Sequence, residues 1–235
     1  MSDALAIAGV SVLLKELLDR GMRDHNVGSI VGGDVPVSVL PPSRIATDSN
    51  EPTQLNLFLH RITRNTGGHG QDQPMFNNEG QRISNPPLVL DLHYFVTAYG
   101  KEELHAEIIL GYAMQLLHEK PVLTKGFIEQ VFGIGPGNQV TQIRFPPDIA
   151  KCGLEHRPGP VVTLSPTTLS AEDVLKLWSA LQCPYRPTVA YIATCVLIES
   201  KLPVREIAAL KQANLFVKDP THEDPTIIVA PDPLP

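Results

Sequence analysis

Hydrophobic and polar positions along this chain follow two periods, and the places where the period changes mark its elements. Near the start, Leu5, Ala8, Val12 and Leu13 fall on one stripe of a helix. Ser2 or Asp3 is placed to cap that helix and Gly21 to stop it. Residues 35–40 then read as a short strand, ended by Pro41 and Pro42 because proline gives a ladder no N–H. Over residues 54–63 the period is two. Leu55, Leu57 and Leu59 face one side, and Asn56, Phe58, His60 and Ile62 the other. The clearest strand runs over 88–99, with Leu88, Leu90, Leu92, Tyr94 and Val96 on one face.

The period returns to helical over about 102–118, where Ile108, Ile109, Tyr112, Leu116 and Leu117 form a stripe. Gly111 weakens this helix by about 1 kcal/mol relative to alanine and is placed to permit close packing. A shorter helix is expected over 124–132, ended by Gly133, and further strands over 139–145 and 161–165. Ser170-Ala171-Glu172-Asp173 opens another helix in capping-box fashion, with Val174, Leu177, Trp178 and Leu181 at helical spacing. Residues 188–198 are apolar on both faces, as a central strand buried from two sides requires. The segment 64–87 is long for a connection between strands and rich in Gly and Asn, the profile of a functional or mobile loop.

Composition changes this picture at the C-terminus and in the choice of compartment. Proline is the outlier, 22 of 235 residues, about twice its usual share of ~5%. The last 17 residues hold five prolines and four acids with no Lys or Arg, and residues 227–230 are their only apolar patch. That is an extended arm rather than a domain. A net charge of −6 argues against broad nucleic-acid binding. The three cysteines (Cys152, Cys183 and Cys195) are odd in number and lack CxxC spacing, so a reducing cytoplasm fits better than a disulfide framework. Cys195, inside an apolar run, reads as a small buried hydrophobe. The uncharged run 4–14, 11 residues, is too short to span a bilayer, so no direct membrane insertion is expected.

Chemistry-bearing patterns are sparse. The eight histidines never pair as HxxxH and no cysteine pair supports them. Asp91 and His93 share a strand face that His60 could join, which reads either as half of a hydrolase or metal site or as a hydrogen-bonded sheet face. No nucleophile motif accompanies them. Gly133-Ile134-Gly135-Pro136-Gly137-Asn138 resembles a phosphate loop only in its glycines; it follows a helix, and Pro136 removes a needed amide. Trp178 reads as core. Arg61, Arg64 and Arg82 bracket the long loop as a modest basic locus. No catalytic residue and no cofactor is assigned.

Three runs carry a resemblance. Leu55-Asn-Leu-Phe-Leu-His-Arg-Ile-Thr-Arg-Asn is followed by Asn85-Pro-Pro-Leu-Val-Leu-Asp-Leu-His-Tyr-Phe-Val-Thr-Ala-Tyr-Gly, and later by Leu177-Trp-Ser-Ala-Leu-Gln-Cys-Pro-Tyr-Arg-Pro-Thr-Val-Ala-Tyr. Together they resemble the tail-terminator (cap) proteins of extracellular contractile injection systems, which are phage-tail-like particles, over roughly residues 4–200. The elements and the resemblance together predict an α+β fold, a mixed, mainly antiparallel sheet flanked by helices, over a tail-terminator-like domain 1–205. The composition, outside the part that matches the family, sets apart a C-terminal extension over 206–235 that becomes the proline-rich arm from about 219. The resemblance further implies a structural cap: a ring, a hexamer, that ends and stabilises sheath and inner tube in a particle assembled in the cytoplasm. The expected partners are the sheath protein, the inner tube protein and further copies of the chain. A baseplate or tube adaptor of the same particle is the alternative within that setting. The expected contact residues are Arg64, Met75, Phe76 and Arg82 in and around the long loop, and Ile227, Ile228 and Val229 in the arm.

Overall fold

The computed structural model describes residues 4–48, 51–66, 82, 85–133, 146–154, 162–199, 202, 215–217 and 226–228. In chain order these form α1 (Ala6–Asp24), α2 (Val27–Ile30), β1 (Val37–Ser38), β2 (Gln54–Arg64), β3 (Leu88–Tyr99), α3 (His105–Glu119) and α4 (Lys125–Phe132). There follow β4 (Thr163–Thr167), α5 (Ala171–Leu181), β5 (Thr188–Ile198), β6 (Leu215–Val217) and β7 (Thr226–Ile228). The first five strands make one sheet in the order β1-β2-β3-β5-β4, and β6 pairs with β7 in a separate two-stranded sheet. Only β1 runs parallel to its neighbour. The class is therefore α+β with a mainly antiparallel sheet, as expected. The expected strand over 139–145 and the capping residues Ser2 and Asp3 lie outside the described residues.

α1 supplies the main cover of one sheet face. Its buried apolar side chains are Ala6, Val10, Leu13, Leu14, Leu17, Leu18 and Met22, so Ala8 and Val12 flank the buried stripe rather than lie within it. Gly21 does not stop the helix, which runs three residues further, to Asp24. A Cβ on Gly21 would lie 2.4 Å from Leu116 Cδ1, so this glycine is a notch into which α3 packs. Gly111, by contrast, has nothing within 4 Å of a built Cβ and lies exposed. The close approach expected there occurs at Gly21 instead. Sequence spacing gives a glycine's place on a helix but not which partner arrives opposite it.

Polar groups fix α1 to the sheet. Asp19, 6% exposed, accepts the Val37 N–H at 2.9 Å, and Lys15 bonds both Asp19 at 2.6 Å and the Val37 carbonyl at 2.5 Å. Both peptide groups of Val37 are thus satisfied by α1, which places β1. The Tyr94 hydroxyl meets Ser11 at 2.8 Å and ties β3 to the same helix. Asn56, fully buried in β2, donates its amide to Ser38 Oγ at 2.8 Å and to the Leu40 carbonyl at 2.9 Å, where the chain leaves β1. Ser170 caps α5 as its sequence foretells, Thr124 caps α4 rather than opening it, and Gly133 closes α4 at φ 67°.

Burial extends to the second sheet face. Val89, Phe95, Thr97 and Tyr99 alternate with the helix-side residues of β3 and are all buried. Trp178 of α5 is 2% exposed and stands edge-on to Tyr185, as a core residue. Two irregularities break strict alternation. β2 gains a residue at His60, between the pairs Leu59–Tyr94 and Arg61–His93. β5 gains one between Ala193 and Val196 opposite Leu90–Leu92. Cys195 sits in that second bulge with φ 65° and is half-buried. It is therefore a bulge residue, not the core hydrophobe its apolar neighbours imply.

Candidate functional site

The end of the sheet where β2 and β3 reach the long loop gathers most of the residues singled out above. The bulge at His60 decides which side each presents. Because β2 holds one extra residue there, Ile62 stands opposite Leu92 and Arg64 opposite Leu90, both helix-side positions. Ile62 thus shares a face with Leu57 and Leu59, a correction to the uninterrupted alternation. It is 46% exposed, and Leu88 on the same face of β3 is 45% exposed, so the helix cover stops short of this end.

The edge of β2 is open here as well. β1 pairs only with Leu55 and Asn56. The Asn65 N–H donates inward to the Val89 carbonyl at 3.0 Å. Alternation in an antiparallel ladder then points the peptide groups of Arg61 and Thr63 inward and those of Ile62 outward, away from β3. Among the described residues no strand pairs with β2 on that side beyond Asn56. The far edge of the sheet is guarded differently. β4 carries Pro166, and residues 121–123 close on its start through Leu164 N–H to the Pro121 carbonyl at 2.6 Å and Leu123 N–H to the Val162 carbonyl at 3.0 Å.

The second face at this end is a polar ladder. Thr63 hydrogen-bonds His93 Nε2 at 2.8 Å, Asn65 donates to Asp91 at 2.8 Å, and the His60 ring stacks on Phe95 with centroids 4.1 Å apart. Burial, then His93 and Arg61, lower the His60 pKa to about 4. Burial and Arg61 also lower that of His93, with Asp91 opposing them. The His60 and His93 rings are 6.1 Å apart, but Asp91 is engaged by Asn65 and His93 by Thr63. No group of three or more His, Cys, Asp or Glu side chains able to hold a metal occurs among the described residues. Among the described residues Asp91 and His93 thus stand in a hydrogen-bonded sheet face with His60 stacked beside them, the second of the two readings their spacing allowed.

Of the expected contact residues, Arg64 is exposed at the end of β2. Arg82 donates to Asn85 Oδ1 at 3.0 Å, and the Asn85 amide donates to the Leu202 carbonyl at 2.8 Å. Arg82 and Asn85, at the return of the long loop, are therefore side by side with Leu202. Ile227 and Ile228 lie in β7, opposite Phe216 and Leu215. Met75, Phe76 and Val229 lie outside the described residues. The exposed pair Ile62 and Leu88 was missed, because its exposure follows from the bulge and from where α1 begins.

The runs that carried the resemblance have structural work. Arg186 of the Pro-Tyr-Arg-Pro run forms a two-point ion pair with Glu51, just before β2, and Thr188 meets Thr97 at 2.9 Å. Asn85 of the Asn-Pro-Pro run holds Leu202, and Tyr94 holds α1.

No curated protein sequence matches the chain. Two solved structures are similar to it. One is described as the sheath/tube terminator of an extracellular contractile injection system, PVC, in the extended state. It has 11% identity and a TM-score of 0.49, over 88% of this chain and 65% of that one. The other is described as the tube terminating cap of the anti-feeding prophage, with 14% identity and a TM-score of 0.46, over 84% of this chain and 60% of that one. The chain thus spans less than two thirds of the length of either. The Pvc16 N-terminal domain family matches residues 9–210, nearly the whole stretch whose strands, ion pair and helix ties have just been described, and the chain belongs to that family.

Proposed function

We propose that this chain is the structural terminator of a contractile injection particle, a ring seated on the end of sheath and inner tube that stops both polymers and holds them together. The observation that carries this reading is the family match over residues 9–210. The ring has six copies, as the resemblance implies, and its partners are the sheath and tube proteins. Its role is structural rather than catalytic, in keeping with the engagement of Asp91 and His93 by Asn65 and Thr63. No helix among the described residues is long and apolar enough to cross a membrane.

Contacts are assigned to the loop end of the sheet and to the C-terminal extension that begins near residue 206. Arg64 and Arg82 flank the loop that carries Met75 and Phe76, and Ile227, Ile228 and Val229 lie in the arm. An exposed strand edge offers main-chain hydrogen bonds with little demand on a partner's sequence, which suits a surface that must end a repeating polymer.

Deleting the gene tests the proposal. Sheath–tube particles of uncontrolled length or with unstable ends are expected, and electron micrographs of particles carrying the labelled protein should show the label at the end distal to the baseplate. A label at the baseplate, or a complete loss of particles on deletion, would assign the chain to a baseplate or adaptor role instead.

A further inference from the structure

Among the described residues two β elements of matched length have an edge with no further strand beside it. We propose that the β6–β7 hairpin of one copy adds to the open edge of β2 in the next copy, at Arg61–Thr63, so that each subunit both gives and accepts a strand. This rests on the ring reading above and names the contact that would close the ring.

Four observations carry it. First, β6 and β7 are three residues each and, among the described residues, pair with one another in a sheet separate from the main one. A two-stranded hairpin of that size is marginal in water and gains stability from a third strand. Second, β2 beyond the bulge offers Arg61–Thr63 with the Ile62 N–H and carbonyl turned outward. Ile62 is half exposed, and no described strand lies beside it. The bulge limits an added strand to about the length the hairpin supplies. Third, the charges complement. Arg61 is exposed on this edge, while the stretch joining β6 to β7 holds Asp219, Glu223 and Asp224 against Lys218 alone. Fourth, the extension leaves the domain at Leu202, beside Asn85 at the loop end of the sheet, and the 12 residues between Leu202 and Leu215 reach up to about 40 Å when extended.

The contact is heterologous, since the donor hairpin and the acceptor edge are different surfaces. Repeated head to tail, such contacts give a closed ring when the rotation allows.

Full-length variants test it. Ile62→Pro removes the outward N–H without taking a bond from the β3 ladder, a position where an edge strand tolerates proline. Phe216→Pro with Ile227→Pro breaks the donor hairpin. Each variant alone should be monomeric in analytical ultracentrifugation, with self-association at least tenfold weaker than in the parent chain. Mixed, they should form a 1:1 dimer, because one keeps a hairpin and the other an edge. Ile62→Thr, which keeps the N–H, should assemble like the parent, and unchanged melting of Ile62→Pro should show the fold intact. If Ile62→Pro assembles as the parent does, or if the two variants do not combine, the inference is overturned. Should that happen while the parent protein still caps particles in micrographs, the terminator reading survives. Should the mixed dimer form while the label sits at the baseplate, strand exchange stands and the terminator reading falls.

Discussion

Asp19 shows how much one side chain can organise. It is a carboxylate in the buried stripe of a helix, a place where an acid is costly unless bonded. Its two oxygens hold the Val37 N–H and Lys15, and that pair fixes where β1 begins. Asp19→Ala should cost about 2–3 kcal/mol, because it leaves a buried N–H unpaired and Lys15 without its acid. Urea unfolding of the variant measures this. Gly21 poses a contest between two effects. Alanine there gains about 1 kcal/mol of helix propensity, but its Cβ would press to 2.4 Å on Leu116, which is 1% exposed and cannot swing away. Overpacking costs about 1–3 kcal/mol, so Gly21→Ala should be destabilising by about 1 kcal/mol. Leu116→Ala in the same chain should remove most of the Gly21→Ala penalty, and a double-mutant cycle reads that coupling.

At the scale of elements, the extra residue at His60 reorganises one end of the sheet. It returns Ile62 to the helix side, sets His60 on Phe95 and places Arg61 opposite His93. The depressed His60 pKa makes this element sensitive to acid. A histidine that titrates near 6.5 in the unfolded chain and at about 4 in the folded one binds its proton more readily when unfolded. Its contribution is therefore complete above pH 6.5 and declines as pH falls toward 4. Allowing for solvent screening of a half-buried ring, the loss is about 1 kcal/mol. Melting temperature should drop between pH 6.5 and 4.5 in the parent protein. The drop should be smaller in His60→Phe, which keeps the stack on Phe95 but cannot charge. Equal acid sensitivity in the two proteins would assign the effect to other groups.

At the scale of the molecule, the described residues give the sheet one guarded edge and one edge open at Arg61–Thr63, and that open edge, the residues flanking the long loop and Leu202 come together at the same end. The cap role proposed above would need such a division, since a face that meets a polymer must be adhesive and the remaining surface must not continue growth. Replacing Met75 and Phe76 together with alanine should leave the melting temperature of the isolated protein within about 1 °C, while lowering the fraction of capped particles counted in micrographs. A loss of melting temperature with capping intact would place those side chains in the core instead.

The amino-acid sequence by itself determined the long strands, the cap at Ser170 and the end of α4 at Gly133. These follow from local patterns: period two, period 3.6, a hydroxyl before a helix, and a glycine where φ turns positive. It also gave the resemblance, through runs whose odd residues turn out to have distant partners, Arg186 with Glu51 and Asn85 with Leu202. What only the tertiary structure decided is which glycine is a notch, where alternation breaks and which edge is left open. Gly21 and Gly111 look alike in sequence and differ only in whether Leu116 stands opposite. The bulges at His60 and Cys195 are matters of register between strands, and a strand's own residues do not state the length of its partner. The exposure of Ile62 depends on how far α1 and β1 extend over it, a long-range outcome of packing with no counterpart in the local pattern.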